Sequence, residues 1–282
     1  MAAEPSILKP TLEGIFAGLA ALLICTGASS AADLHPIVEV QSGYLFGAIS
    51  DGKWIKADEA AKALPDETTY RVYGLTQAFG EAKGGKPESS KDDVCSDVLA
   101  VSLSPKLEKG VIALAAPWNA LPRKPRVSDT TQQVYLDAVR DFLKTKGIEQ
   151  PKVKVDSILR VDLDGDGEDE VLISAANYFS KDDRLPMRSP AGSYSMVLLR
   201  RVVAGKVETQ LVEGEFHPKA YVRKEDSFDA PNAYKVIAIL DLDGDGKMEV
   251  VVASSYYEGE AITIYRCDPK KVKALLTVFC GA

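Results

Sequence analysis

Two acidic segments with nearly the same sequence decide the fold of the C-terminal half. They are Asp162-Leu163-Asp164-Gly165-Asp166-Gly167-Glu168-Asp169-Glu170 and Asp241-Leu242-Asp243-Gly244-Asp245-Gly246-Lys247-Met248-Glu249. Apolar runs rich in β-branched residues flank both segments, at 158–161 and 171–174 and at 236–240 and 250–254. Such runs, bounded by Asp and Gly, are typical of strands joined by a tight loop. The sequence therefore predicts two repeated strand–loop–strand units.

The spacing of the acids within each segment matches the ligand pattern of a calcium loop. Calcium takes six to eight oxygen ligands, and a short loop can supply them from alternate residues. The glycine at position six permits the sharp turn that brings the main-chain carbonyl of position seven toward the ion. We therefore predict two calcium ions, one in each loop. The predicted ligands are Asp162, Asp164, Asp166, Glu168 and Glu170 in the first loop and Asp241, Asp243, Asp245, Lys247 and Glu249 in the second, with Glu168 and Lys247 contributing carbonyl groups.

Other interpretations of the acidic segments are less consistent with the sequence. An EF-hand needs an acid at position twelve, where this chain has the apolar residues Ile173 and Val252. A metal-free turn is possible in principle, because Asp and Gly favour turns. Such a turn leaves four clustered carboxylates without a counterion, and it does not require an acid at position nine. Magnesium is disfavoured because it prefers a tight octahedral shell that keeps several waters.

The two units resemble FG-GAP or VCBS-type repeats, the calcium-loop blades of integrin alpha-chain propellers. The resemblance extends beyond the loops to 250–254, Gly259 and 262–265, and in the first unit to 171–174, Gly192 and 196–199. It implies antiparallel, blade-like units and the same acidic side chains as calcium ligands. The family usually has Asp at position nine, where this chain has Glu.

The extent of the resemblance limits the architecture. It covers at most residues 151–282, and a seven-bladed ring with blades of about 60 residues would need about 420 residues. A complete seven-bladed propeller is therefore excluded. We predict an α+β protein that is mainly β, with antiparallel sheets and two propeller-blade-like units in its C-terminal half.

The remaining pattern suggests three segments: a signal peptide at 1–31, an α+β domain at 32–150 and a calcium-binding β domain at 151–282. In the second segment we predict a hairpin over 43–55, a short helix at 57–64, and strands at 69–75, 98–103 and 111–115. The polar stretch 83–93 predicts an exposed loop. A longer helix is predicted at 130–146, capped by Ser128 or Asp129 and ended by Gly147.

The N-terminal residues have the order of a secretory signal. Residues 14–32 carry no charge, and the apolar run 15–24 is followed by small residues at 28–32. This pattern predicts a secreted or periplasmic protein. An uncleaved, single N-terminal membrane anchor is the main alternative, because the uncharged run has about the minimum length of a membrane span. A buried helix is a third possibility.

Export would permit a disulfide bond. Removal of the signal leaves Cys95, Cys267 and Cys280, an odd number that allows one internal bond. We favour pairing of Cys267 with Cys280, which lie on a predicted terminal hairpin with its turn at 268–271. A bond from Cys95 to either residue and the absence of a bond remain alternatives.

Composition and motifs limit the classes of function that the chain can have. The chain has 282 residues and 46% hydrophobic residues, so a soluble folded protein is expected. Its net charge of −7 lacks the excess of positive charge that is typical of nucleic-acid-binding proteins. With only two histidines and no G-x-S-x-G, no catalytic constellation emerges. We therefore expect an exported calcium-binding protein in which calcium is structural and which binds an unknown protein or glycan. The alternatives are a secreted hydrolase on a calcium-stabilised scaffold and a membrane-anchored envelope or adhesion protein, with membrane contact only if the signal is not cleaved.

Overall fold

A computed structural model describes residues 33–178, 185–220 and 230–281. These residues form four antiparallel sheets and two α-helices, and none of the described sheets closes into a barrel or a propeller. The prediction of a mainly β, α+β protein is confirmed. The predicted signal peptide lies outside the described residues.

The nine described strands before the second helix belong to three different sheets. The N-terminal sheet has the order β3-β2-β1-β8-β4-β5, a small ribbon pairs β6 with β7, and β9 joins a later sheet. The bounds are β1 Leu34–Glu39, β2 Leu45–Ser50, β3 Lys53–Lys56, β4 Thr68–Tyr73, β5 Ala78–Gly84, β6 Glu88–Ser89, β7 Leu99–Ala100, β8 Ile112–Leu114 and β9 Arg126–Ser128. The predicted hairpin is β2–β3, whereas the stretch predicted as a loop at 83–93 contains the end of β5 and all of β6.

The C-terminal half forms two further sheets, each built around one acidic segment. The middle sheet has the order β13-β12-β11-β10-β9, and the C-terminal sheet has the order β14-β15-β16-β17. The bounds are β10 Val155–Val161, β11 Glu170–Ala176, β12 Ser193–Val203, β13 Lys206–His217, β14 Ala233–Leu240, β15 Glu249–Tyr256, β16 Gly259–Asp268 and β17 Lys271–Gly281. Both predicted strand–loop–strand units are thus present, as β10–β11 and β14–β15.

The two helices follow the predicted pattern with one correction. Helix α1 spans Ala57–Ala63 and a 3-10 turn spans Asp93–Cys95. Helix α2 spans Gln133–Thr145, so it begins later than predicted, because the Asp129 carboxylate bonds to Thr131 instead of capping the helix. Gly147, with φ of 82°, follows its end as predicted. The buried side of α2 packs on one face of the middle sheet.

The opposite face of the middle sheet contributes to a core shared by all three large sheets. This core contains Ile37 and Ile112 from the N-terminal sheet, Leu172 from the middle sheet, and Val251 and Ile264 from the C-terminal sheet. Residues Ala32–Ala282 group into one compact unit. The acidic loops therefore belong to sheets whose strands are anchored in a common interior.

The disulfide differs from the one we favoured. Cys95 is bonded to Cys280, with 5.4 Å between their Cα atoms, and Cys267 is free. Cys267 and Cys280 do lie on the adjacent strands β16 and β17, but Cys267 faces Val272 whereas Cys280 faces Glu260. The two cysteines are therefore at opposite ends of the hairpin, which is why they do not pair. Among the helices of the described ranges, none is long and apolar enough to cross a membrane.

Candidate metal centre

The two acidic segments form loops with the same place in their sheets. Loop 1 (residues 162–170) connects β10 to β11, and loop 2 (residues 241–249) connects β14 to β15. In each loop the last acid, Glu170 or Glu249, is the first residue of the second strand and is buried. The strands therefore fix this carboxylate at the base of the loop, close to the acids at positions one and three.

Three carboxylates converge in each loop. Oxygen atoms of Asp162, Asp164 and Glu170 all lie within 4.8 Å of one another, and the same holds for the second set. The second set is Asp241, Asp243 and Glu249. Like charges at this separation disfavour one another unless a cation lies among them or one group is protonated.

Main-chain hydrogen bonds shape loop 1. The Asp162 carboxylate accepts hydrogen bonds from the Gly165 amide at 2.6 Å and the Gly167 amide at 3.1 Å. Glu170 Oε2 accepts one from the Leu163 amide at 2.8 Å. Gly167 has φ of 92°, a conformation that favours glycine, as the turn at position six was predicted to require.

Loop 2 repeats the same bonds residue for residue. Asp241 accepts from the amides of Gly244 and Gly246 at 2.8 and 3.1 Å. Glu249 Oε2 accepts from the Leu242 amide at 3.0 Å. The two segments therefore adopt the same geometry, in keeping with their shared acid spacing and flanking strands.

The acids at position five and the residues at position seven lie nearer the loop tips. Asp166 and Asp245 are outside the converging sets, and each accepts a hydrogen bond from the following position-seven amide at 2.8 Å. Those amides belong to Glu168 and Lys247, whose side chains are exposed. The role of the Glu168 and Lys247 carbonyls stays a prediction.

Burial makes the acids at the base of the loops hard to ionise. It raises the pKa of the Glu249 carboxyl to about 8; the charge of Asp243 adds to this rise, and hydrogen bonds from Arg266 oppose it. Burial likewise raises the pKa of Glu170, and the nearby Asp164 adds to it. A buried carboxylate beside other carboxylates is stable in its charged form only with a compensating cation.

The donor set of each loop fits calcium better than a softer metal. The converging ligands are all carboxylate oxygens, and the loops offer further main-chain carbonyls but no histidine or thiol. Hard oxygen donors of this kind suit Ca²⁺, whereas zinc and copper favour nitrogen and sulfur. Loop 1 would hold the ion through Asp162, Asp164 and Glu170, and loop 2 through the equivalent acids.

Two tryptophans that the loop pattern did not predict lie against loop 2. Trp54 Nε1 donates a hydrogen bond to Asp243 Oδ2 at 3.1 Å, and Trp118 Nε1 donates to the Asp241 carbonyl at 2.9 Å. Trp54 belongs to β3 in the N-terminal sheet. A loop in the C-terminal half is therefore covered by side chains from the first half of the chain.

Arg123 joins the two loops to each other. Its Nε donates to the Asp162 carbonyl at 2.5 Å, and its Nη2 donates to the Gly246 carbonyl at 2.6 Å. The main chains also meet directly, because the Met248 amide donates to the Leu163 carbonyl at 2.8 Å. The two candidate sites are thus neighbours.

Arg266 lies among the acids of loop 2. Its Nη2 is 2.5 Å from Asp243 Oδ2 and 2.6 Å from Glu249 Oε1, and its Nη1 is 3.5 Å from Asp245. The sequence placed residue 266 next to a predicted strand, but a strand pattern does not predict which group its side chain contacts. This contact distinguishes loop 2 from loop 1.

Comparison of the chain with protein-family models, with curated proteins and with solved structures gives no match. The likeness of the two loops to FG-GAP or VCBS-type repeats therefore rests on the residues themselves.

Proposed function

We propose that this protein is an exported calcium-binding protein, in which calcium stabilises the fold and which acts by binding a protein or glycan. The observation that carries the calcium assignment is the repeated geometry of the loops. In both, an Asp at position one, an Asp at position three and a Glu at position nine bring their oxygens within 4.8 Å. An acidic turn without an ion has no need to repeat this convergence.

The surroundings of the loops support a structural role for the ion. Loop 1 and loop 2 contact each other through Met248 and Leu163, and Arg123 donates to both. The Asp241 amide donates to the Ala120 carbonyl at 2.8 Å, which links loop 2 to the segment after the N-terminal sheet. An ion that fixes these loops would stabilise contacts between all three large sheets.

Two features support export. The first 31 residues have the order of a signal peptide. In addition, Cys95 and Cys280 form a disulfide, a bond that persists mainly in oxidising compartments. Binding of a protein or glycan is proposed from the resemblance of the loop units to repeats of cell-surface proteins.

Chelation tests the structural role of calcium. We expect EDTA to lower the melting temperature and added calcium, but not magnesium, to restore it. At a hundredfold excess of calcium over its Kd, one site adds about 2.7 kcal/mol. For a chain of this size, that corresponds to a shift of about 5 to 10 °C. An unchanged melting curve in EDTA would contradict the proposal.

A matched pair of variants tests the ligands. Asp164→Asn leaves the loop length intact but removes a charge from the converging set, so it should reduce the calcium-dependent stabilisation. Glu149→Gln removes a charge from an exposed residue after helix α2 and should leave it unchanged. If both variants respond to calcium as the wild type does, the ligand assignment is wrong.

The secreted product tests export. We expect the mature N-terminus to lie near residues 31–33, and the purified protein to contain calcium by elemental analysis. A mature chain that still begins at Met1 would favour the membrane anchor instead.

A further inference from the structure

The two loops share one backbone geometry but differ in their positive charges. Loop 1 contains six acidic residues and no basic residue, whereas loop 2 contains four acidic residues and Lys247. Arg266 adds a second positive charge to loop 2 from β16. Because calcium affinity rises with the charge of the ligands, equal affinities are not expected.

The contacts of Arg266 involve oxygens of two of the three converging carboxylates of loop 2. Asp243 Oδ2 accepts from both Arg266 Nη2 and Trp54 Nε1, at 2.5 and 3.1 Å. Glu249 Oε1 accepts from Arg266 Nη2 and Nε, at 2.6 and 3.1 Å. The guanidinium therefore bridges two of the three converging carboxylates of loop 2.

Loop 1 has an arginine at the equivalent position; its charge is close enough to act on Glu170, but its guanidinium donates its hydrogen bond to another group. Arg200 pairs with Val171 as Tyr265 pairs with Val250, so the next residues, Arg201 and Arg266, correspond. Arg201 is buried and its Nη2 donates to the Cys267 carbonyl at 2.7 Å. In the described part of the chain, no arginine or lysine forms an ion pair with Asp162, Asp164 or Glu170 within 4.0 Å.

We propose that the Arg266 guanidinium takes the place of a calcium ion in loop 2. Loop 1 is then the high-affinity calcium site, and loop 2 binds calcium only when the Arg266 guanidinium moves away. This inference rests on the proposed calcium binding and specifies how it is regulated. A cation held by the protein itself offsets the charge of Glu249 and Asp243 without an ion. Calcium at loop 2 must replace charge-assisted hydrogen bonds, whereas calcium at loop 1 replaces none with a guanidinium.

Calcium titration of the wild-type chain and of variants in each loop tests the proposal. The wild type should show one tight binding event, which Asp164→Asn removes and Asp243→Asn leaves in place. Arg266→Gln should raise the calcium affinity of the second event by about tenfold or more, because calcium then no longer has to displace a charge-assisted hydrogen bond. Lys247→Gln is the control: it also removes one positive charge, but from an exposed side chain of loop 2.

Terbium gives a second readout, which is taken in the Asp164→Asn background so that an ion in the neighbouring loop 1 does not contribute. The chain has two tryptophans, and both donate hydrogen bonds to loop 2 residues, so tryptophan-sensitised terbium emission reports an ion there. We expect weak emission from Asp164→Asn and strong emission from the double variant Asp164→Asn, Arg266→Gln at the same terbium concentration. Calcium should suppress the emission of the double variant.

The outcomes separate this inference from the proposed function. Two events of equal affinity in the wild type, or loss of the tight event in Asp243→Asn, would overturn the role of Arg266 while leaving calcium binding intact. An equal gain in Lys247→Gln would overturn it as well. Absence of calcium binding in the wild type and in every variant would instead refute the proposed function. The wild-type and Asp243→Asn titrations decide the matter even if Arg266→Gln does not fold.

Discussion

The indole ring of Trp118 lies directly against Gly244 in loop 2. Gly244 has φ of 74°, and a methyl group added to it would lie 2.9 Å from Trp118 Cδ2. Trp118 is held there by the hydrogen bond from its Nε1 to the Asp241 carbonyl. Glycine is therefore required at this position both by the backbone conformation and by the space that the indole takes.

We predict that Gly244→Ala lowers the free energy of unfolding by about 2 to 5 kcal/mol. The left-handed conformation costs a residue with a side chain about 1 to 2 kcal/mol, and overpacking against the indole adds about 1 to 3 kcal/mol. Urea denaturation in EDTA measures the change without a contribution from calcium.

Gly246→Ala is the matched control. Gly246 also has a positive φ, of 86°, but nothing lies within 4 Å of an added methyl group. It should therefore show only the conformational cost of about 1 to 2 kcal/mol. Equal losses in the two variants would mean that Trp118 does not restrict Gly244.

Local sequence predicts the acidic loops well because their determinants are local. The acids that converge lie within nine residues, and two short strands hold both ends of the loop, so spacing alone specifies the fold of each unit. Helix α1 and the β2–β3 hairpin are local in the same sense. Strand β1 was not predicted: it contains Pro36, which a strand pattern rarely includes.

The partners of the loops could not be predicted, because they come from distant parts of the chain. Trp54 and Arg123 each reach loops more than 35 residues away along the sequence, and no periodic pattern marks them. The corresponding residues Arg201 and Arg266 have the same local setting but contact different groups. The choice between the cysteine pairs likewise depends on where the Asp93–Cys95 turn meets β17.

We predict that Arg123→Gln lowers the free energy of unfolding by about 2 kcal/mol. The guanidinium donates to carbonyls of both loops, and a hydrogen bond from a charged group contributes about 1.5 to 3 kcal/mol. Urea denaturation is again the measurement. Lys124→Gln removes the same charge from the exposed neighbouring residue and should change the stability little. Equal effects would show that the bridge between the loops contributes nothing.

Reduction of the disulfide should also destabilise the fold. Cys95 and Cys280 are 185 residues apart in sequence, so their bond restricts a long stretch of the unfolded chain. We predict that Cys95→Ser costs about 2 to 5 kcal/mol. A reductant should lower the melting temperature of the wild type and of Cys267→Ser, because Cys267 is free, but not that of Cys95→Ser. Sensitivity of Cys95→Ser to reductant would contradict this bond.

The stability of the protein in acid should depend on Glu215 in β13. Burial opposes ionisation of this carboxyl, but hydrogen bonds from His217 and Asn232 outweigh it and hold its pKa below the usual range. A carboxyl whose pKa is lower in the folded state binds its proton more readily after unfolding. Its contribution to stability is therefore complete above the unfolded pKa and is lost as the pH falls through the folded pKa.

Glu215→Gln removes this contribution, because glutamine does not titrate. We predict that the free energy of unfolding falls less steeply in the variant than in the wild type between about pH 6 and pH 3, the range that brackets an ordinary Glu pKa of about 4.3. Urea denaturation across this range uses protein from which calcium has been removed beforehand, in calcium-free buffer, so that calcium ligands do not contribute through metal release. Glu149→Gln, at an exposed site, should follow the wild-type curve. If the Glu215→Gln curve runs parallel to that of the wild type, the His217 and Asn232 contacts do not lower the pKa of Glu215.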